Sequence, residues 1–236
     1  VNEIFIFAQT RSGSTLLQRA INQTPGVLVY GEHGGFLKGY ADAYYATNFG
    51  DDGTEANLRD PNTFAPCLSC IDPAEVRRNM RTFLYDTINP FRSPRWGFKE
   101  VRYRHDRVFD LLSEMFPQAK FIFLIRNPLE QVESIRSVPW GEGHKDIMDS
   151  IIYWRDTFTY FEKCVQARPM RCKMIEYNNL RNVKKLFSWL EINNPMSNLF
   201  KEMPRTGQTE KKTMSVHDLA QVDRMCWTDY ARFRWG

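Results

Sequence analysis

An apolar run from Ile4 to Ala8 leads into Gln9-Thr10-Arg11-Ser12-Gly13-Ser14-Thr15, after which apolar residues recur at helical spacing. Small residues at a strand-to-helix junction let backbone N–H groups approach an anion, and the start of the helix favours negative charge. The hydroxyls of Ser12, Ser14 and Thr15 add donors, and Arg11 adds a planar cationic fork. A second element, Ile125-Arg126-Asn127-Pro128, closes another apolar run, with Ser134 eight residues beyond the arginine. Together the two predict a cationic pocket for a phosphate-bearing ligand. The loop departs from the nucleotide pattern G-x-x-x-x-G-K-[ST]. It lacks the lysine that reaches a γ-phosphate, and no strand ends in an aspartate suited to magnesium. A P-loop nucleotide kinase and a non-catalytic nucleotide-binding module are therefore kept as alternatives only.

These residues need a frame that brings them to one edge. Strands are expected at Ile4–Ala8, Val27–Tyr30, Trp96–Val101, Lys120–Ile125 and Arg171–Ile175. Helices are expected at Ser14–Asn22, Phe36–Tyr45, Pro73–Ile88, Arg107–Phe116, Leu129–Arg136, Asp146–Gln166, Leu180–Leu190 and Val216–Arg232. Such alternation predicts an α/β fold: one domain over 1–236, with a parallel central sheet flanked by helices. Ligands of such sheets bind beyond the carboxyl ends of the strands. Arg11, Lys99 and Arg126 follow or end three of these runs. Residues 41–70 read as a lid or acceptor-side insertion, because long excursions in compact domains are usually functional or disordered. Residues 195–212 are irregular and basic.

Composition narrows the classes. The chain has 236 residues, 42% hydrophobic and 14% aromatic, which excludes disordered and low-complexity classes. With 32 basic and 28 acidic residues the net charge is only +4, too mild for a nucleic-acid coat but compatible with a local cationic pocket. No apolar run approaches the roughly 20 residues of a membrane helix. The chain passes from Val1-Asn2-Glu3 straight into a strand, so no signal peptide is read and a cytoplasmic setting is expected. Five cysteines cannot all pair within one chain, and Cys67-x-x-Cys70 lacks the second pair of ligands of a structural zinc site. Asn22-Gln23-Thr24 is a lone glycosylation sequon at the end of a helix.

Arg11-Ser12-Gly13-Ser14-Thr15-Leu16-Leu17 resembles the 5′-phosphosulfate loop of sulfotransferases that use 3′-phosphoadenosine-5′-phosphosulfate (PAPS). Phe121 through Pro128, with Ser134, is similar to that family's 3′-phosphate motif. Trp96-Gly97-Phe98-Lys99 resembles its strand ending in lysine, and Ile175-Glu176-Tyr177-Asn178-Asn179-Leu180 its Tyr-Glu-x-Leu signature, with Asn where Glu is usual. The resemblance spans about residues 3–190. It implies a P-loop-like sulfotransferase fold, PAPS as co-substrate, 3′,5′-adenosine bisphosphate (PAP) as product, and no metal.

The resemblance also implies roles. Arg11, Ser12, Gly13, Ser14 and Thr15 would hold the 5′-phosphosulfate, and Arg126 and Ser134 the 3′-phosphate. Arg11 and Lys99 would stabilise charge on the leaving oxygen. Members similar to the tyrosylprotein and carbohydrate enzymes use a glutamate base after the second strand, where Tyr30-Gly31-Glu32-His33-Gly34 places Glu32; His33 and Glu100 are the alternatives. His105 lies further along than the histidine base of the cytosolic members. Arg205 and Gly207, within Met203–Lys212, are expected to close over the nucleotide. The acceptor is expected to present a hydroxyl or amine on a small molecule, carbohydrate or peptide. A small polar or cationic one is favoured, because 41–66 carries a net charge of −4 among aromatics that include Tyr40, Tyr44, Tyr45, Phe49 and Phe64 in and beside it. No nucleic-acid or membrane partner is expected.

Overall fold

The computed structural model describes residues 2–46, 62, 72–104, 106–138, 146–182, 184–192 and 214–235. Five strands form one sheet: β1 Glu3–Ala8, β2 Val27–Tyr30, β3 Arg95–Glu100, β4 Lys120–Ile125 and β5 Cys172–Glu176. Their order is β2-β3-β1-β4-β5 and every pairing is parallel. The helices are α1 Ser14–Asn22, α2 Leu37–Ala46, α3 Pro73–Ile88, α4 Val108–Met115, α5 Pro128–Arg136, α6 Ile147–Ala167, α7 Lys184–Trp189 and α8 Val216–Trp235.

The period-two geometry of a strand sorts the core by residue type. In β1, Phe5 and Phe7 face one side, where Phe98, Phe121 and Phe123 continue an aromatic layer against α2 to α6 and α8. Ile4 and Ile6 face the other side, where Ile122 and Leu124 pack with α1 and α7. Rings interlock across strands, with Phe5 and Phe98 centroids 4.9 Å apart and Phe109 and Phe121 5.0 Å apart. Each fully buried Phe contributes about 2–3 kcal/mol of apolar transfer, so the central strands are fixed by burial on both faces. Gly97 lets β3 lie close beside β1: a Cβ there would stand 1.7 Å from the Ile4 carbonyl oxygen.

The element reading holds closely, with one difference. The helix expected over Leu180–Leu190 is a 3₁₀ turn, Tyr177–Asn182, followed by the short α7. Beside this turn Asn178 Nδ2 donates to Glu176 Oε1 at 3.0 Å. Of the expected lid, residues 41–46 complete α2, and Tyr44 and Tyr45 donate to Glu114 at 2.9 and 3.0 Å. Most of 47–71, including Phe49, Phe64, Cys67 and Cys70, lies outside the described residues, as do His105 and the loop 195–212 with Arg205 and Gly207. Cys164, Cys172 and Cys226 are free and buried, and burial pushes each thiol up to about 12. The Asn22 side chain is committed to the fold, with Nδ2 donating to the Val29 carbonyl at 2.9 Å and Oδ1 accepting from Val29 N at 2.7 Å. Among the described residues no helix is long and apolar enough to cross a membrane.

Candidate active site

β1 ends in the buried centre of the sheet, and the chain must turn at once into α1. Two left-handed residues make that turn, Arg11 at φ 63° and Gly13 at φ 85°. Gly13 caps α1 with no side-chain hydrogen bond, and no acidic residue stands in the first turn. The first N–H groups of a helix have no partner within it, so α1 presents them with Ser14 and Thr15 at the sheet's carboxyl edge. Ser12, fully buried, is spent inside the loop, where its Oγ donates to the Gln9 carbonyl at 2.5 Å.

Neighbouring elements brace the loop. Gln131 Nε2 donates to the Thr10 carbonyl at 2.7 Å. Tyr153 OH accepts from Thr10 N at 2.9 Å and donates to Thr10 Oγ1 at 3.0 Å. Asn127 and Pro128 turn β4 sharply into α5: proline occupies the first helical turn while Asn127 Oδ1 accepts from the N–H of Leu129 and Glu130. That leaves Arg126 at the strand's mouth, its carbonyl fixed by Trp154 Nε1 at 3.0 Å.

The two phosphate-motif arginines meet. Arg11 Nε donates to Ser134 Oγ at 3.1 Å, and Arg126 Nη1 donates to the Arg11 carbonyl at 3.3 Å. Arg126 Nε also pairs with Glu130 at 3.0 Å, one turn on in α5. Burial, then the nearby Arg126, push Arg11 below the usual arginine value. Such a like-charged pair is relieved by an anion placed between its members. Tyr177 completes this corner. Its ring lies 4.9 Å from the Arg126 guanidinium and fills the space beside Gly13, where a Cβ would be 2.3 Å from Tyr177 Cδ2. The sequence ties Tyr177 only to a signature; its neighbours Gly13 and Arg126 come from two other strand ends.

On the other side of β1, Lys99, next to last in β3, is almost wholly buried and its Nζ meets Glu32 Oε1 at 2.5 Å. Arg102 Nη1 takes Glu32 Oε2 at 3.0 Å and Glu100 Oε1 at 2.9 Å. Glu32 remains one-third exposed, the only one of the three base alternatives open to that degree. Glu100 is fully buried and accepts from the N–H of His33, Gly35 and Val101 at 3.1, 3.0 and 2.9 Å. Burial pushes its carboxyl up, but those amides and His33 outweigh it and hold it below the usual range. His33 packs between Phe36, Phe98 and Tyr103, and burial lowers it against the pull of Glu100. Glu100 therefore latches the β2–α2 turn to β3, while Glu32 stays partly open to solvent between Lys99 and Arg102. Among the described residues no group of three or more His, Cys, Asp or Glu is placed to hold a metal ion.

A parallel α/β sheet with a tight Ser/Gly loop between its first strand and α1, and basic residues at the neighbouring strand ends, is a P-loop-like fold. The model of the Sulfotransferase family matches residues 3–191, and the chain belongs to that family. None of the curated proteins matches it. Among solved structures it is similar to the sulfotransferase domain of the olefin synthase from Synechococcus PCC 7002, at 16% identity and TM-score 0.55, with 94% of each chain covered. It is also similar to a sulfotransferase from Alicyclobacillus acidocaldarius, at 15% identity and TM-score 0.54, covering 98% of this chain and 94% of that one.

Proposed function

We propose that the protein transfers a sulfuryl group from PAPS to a hydroxyl or amine of a polar acceptor. The observation that carries this reading is the junction of Arg11, Ser134 and Arg126 at the uncapped start of α1, beside the Lys99–Glu32 pair. PAPS supplies an activated sulfuryl group on a phosphate leaving group. The residues present suit such a donor: backbone amides and hydroxyls from Gly13 to Thr15 serve one anionic end, and two converging arginines serve both.

Arg11 and the loop amides hold the 5′ side, with Ser12 shaping the turn; Arg126 and Ser134 serve the 3′-phosphate. Arg205 and Gly207 are proposed to cover the nucleotide. Lys99 Nζ stabilises charge gathering on the leaving oxygen, and Glu32 accepts the acceptor's proton. The Lys99–Glu32 bond must open for both to act. Arg102 gives this exchange a physical basis, because its grip on Oε2 keeps Glu32 in place when Lys99 releases Oε1. Calorimetry of PAP against ATP–magnesium tests the donor class. Preferential PAP binding, unaffected by a chelator, is expected; preference for ATP–magnesium returns the protein to the kinase reading.

A further inference from the structure

One cation near these strand ends is not absorbed by this reading. Arg104, five residues beyond Lys99, is half-buried with its guanidinium carbon 4.4 Å from the centre of the Tyr153 ring. Its backbone is fixed on both sides. Tyr103 is buried, with its OH meeting Leu37 N at 3.3 Å, and Asp106 Oδ2 accepts from Arg104 N at 3.0 Å. The platform beneath is equally fixed, since Tyr153 OH bonds both N and Oγ1 of Thr10, next to Arg11. Among the described residues, Lys99, Arg102 and Arg126 each have a carboxylate partner, whereas Arg104 makes no ion pair. An arginine carries five N–H donors in a rigid fork. Stacking on a ring uses its face and leaves the edge of the fork for an anion.

The neighbours of Arg104 along the strand ends indicate which ligand meets that fork. The donor loop opens α1, which packs on the aliphatic side with Ile4 and Ile6. Tyr153 belongs to α6, which packs on the aromatic side. The donor-side Ser134 of α5 shares that side, but Arg104 lies on the stretch that continues from Lys99, and the ring of Tyr103 before it is 5.5 Å from that of His33, the neighbour of Glu32, so Arg104 flanks the proposed base. We propose that Arg104 receives an anionic group of the acceptor, so that the acceptor is a hydroxyl or amine compound that also bears a carboxylate, sulfate or phosphate. This rests on the sulfotransferase reading and narrows its substrate class, against the cationic acceptor expected from the acidic composition of 41–66.

The test separates the two readings. PAP affinity is measured first, for wild type, Arg104→Met and Arg104→Lys. The PAP-loaded proteins are then given matched sets: 4-methylphenol, tyramine and 4-hydroxyphenylacetate, and methyl glucoside, glucosamine and glucuronate. Binding is read by calorimetry and sulfation by labelled transfer. The wild type is expected to favour the anionic member of a set. Arg104→Met should cut the anionic-to-neutral ratio of kcat/KM, or of affinity, tenfold or more, mainly through KM. Its Kd for PAP should stay within twofold, and Arg104→Lys should recover part of the ratio. A wild type that binds PAP but favours neutral or cationic members, or neither binds nor uses the anionic ones, overturns the acceptor class. An Arg104→Met protein with unchanged selectivity, or with PAP affinity weakened tenfold, removes Arg104 from the acceptor side. A wild type that fails to bind PAP takes down the sulfotransferase reading as well.

Discussion

Arg11 Nε and Ser134 Oγ, 123 residues apart in sequence, are joined by a 3.1 Å hydrogen bond at the mouth of the sheet. The loop after β1 and the helix after β4 are therefore parts of one hydrogen-bonded corner, the proposed anion site. Arg126 locks the two together through the Arg11 carbonyl.

Loss of Arg126 should weaken this site. Arg126→Ala is expected to reduce PAP affinity by about 2–4 kcal/mol, since it removes a charge-assisted fork. It also leaves Glu130 without its partner, a like charge near the ligand. Calorimetry on the folded variant checks this, and unchanged affinity would take Arg126 out of the site.

Glu32→Gln keeps the shape of the Lys99 and Arg102 clamp but cannot take up the acceptor's proton. PAP binding should be retained and turnover should fall about 10²-fold or more. If turnover stays within a factor of two of wild type, the base lies elsewhere.

Gly13 meets two separate obstacles to a side chain: its φ of 85° and the Tyr177 ring. Gly13→Ala is expected to cost roughly 2–4 kcal/mol, combining αL strain with overpacking. Placed on a Tyr177→Ala background, the same change should cost about 1 kcal/mol, because only the backbone part remains. A double-mutant cycle from denaturant melts measures the difference; strict additivity would mean that Tyr177 does not set the cost.

Acid should loosen the β2–α2 turn in two stages. His33 is lowered from its ordinary 6.5, chiefly by burial, so the unfolded chain takes up that proton first. Its stabilising share is complete above pH 6.5 and fades as the pH falls below it. Glu100, held on balance below its ordinary 4.5, contributes above that pH and loses its share as the pH drops through the lower folded value. Melting temperatures from pH 7.5 to 4 should fall first by the His33 step. His33→Phe, in its cage of rings, should flatten that step and leave the later one. Glu100→Gln should cost about 2–4 kcal/mol at neutral pH, since it disturbs a fully buried acceptor of three amides. Identical pH profiles for wild type and His33→Phe would refute the first stage.

The order of strands and helices was legible in the sequence because it rests on local patterns. The apolar runs of β1 and β4 are too short and too uniform to be anything but buried strands, and Asn127-Pro128 and Asp72-Pro73 mark helix starts with their own chemistry. The turn between β1 and α1 could be read for the same reason: small residues and an arginine between a strand and a helix mark a tight junction that leaves the start of the helix without a side-chain cap. Three things were settled only by the tertiary structure. Glu32, His33 and Glu100 are all acidic or basic residues near strand ends; packing alone buried Glu100 beneath three amides, enclosed His33 among rings and left Glu32 partly exposed between Lys99 and Arg102. Tyr44 and Tyr45 look like lid aromatics by composition, yet α2 turns them onto Glu114, because helix geometry and the core beneath set their direction. Arg104 and Tyr153, 49 positions apart, become partners only because a parallel sheet gathers its strand ends on one edge while a later helix folds back across them. Local sequence fixes which element a residue joins, but contacts between distant residues depend on how the elements stack, and burial over the whole sheet decides that.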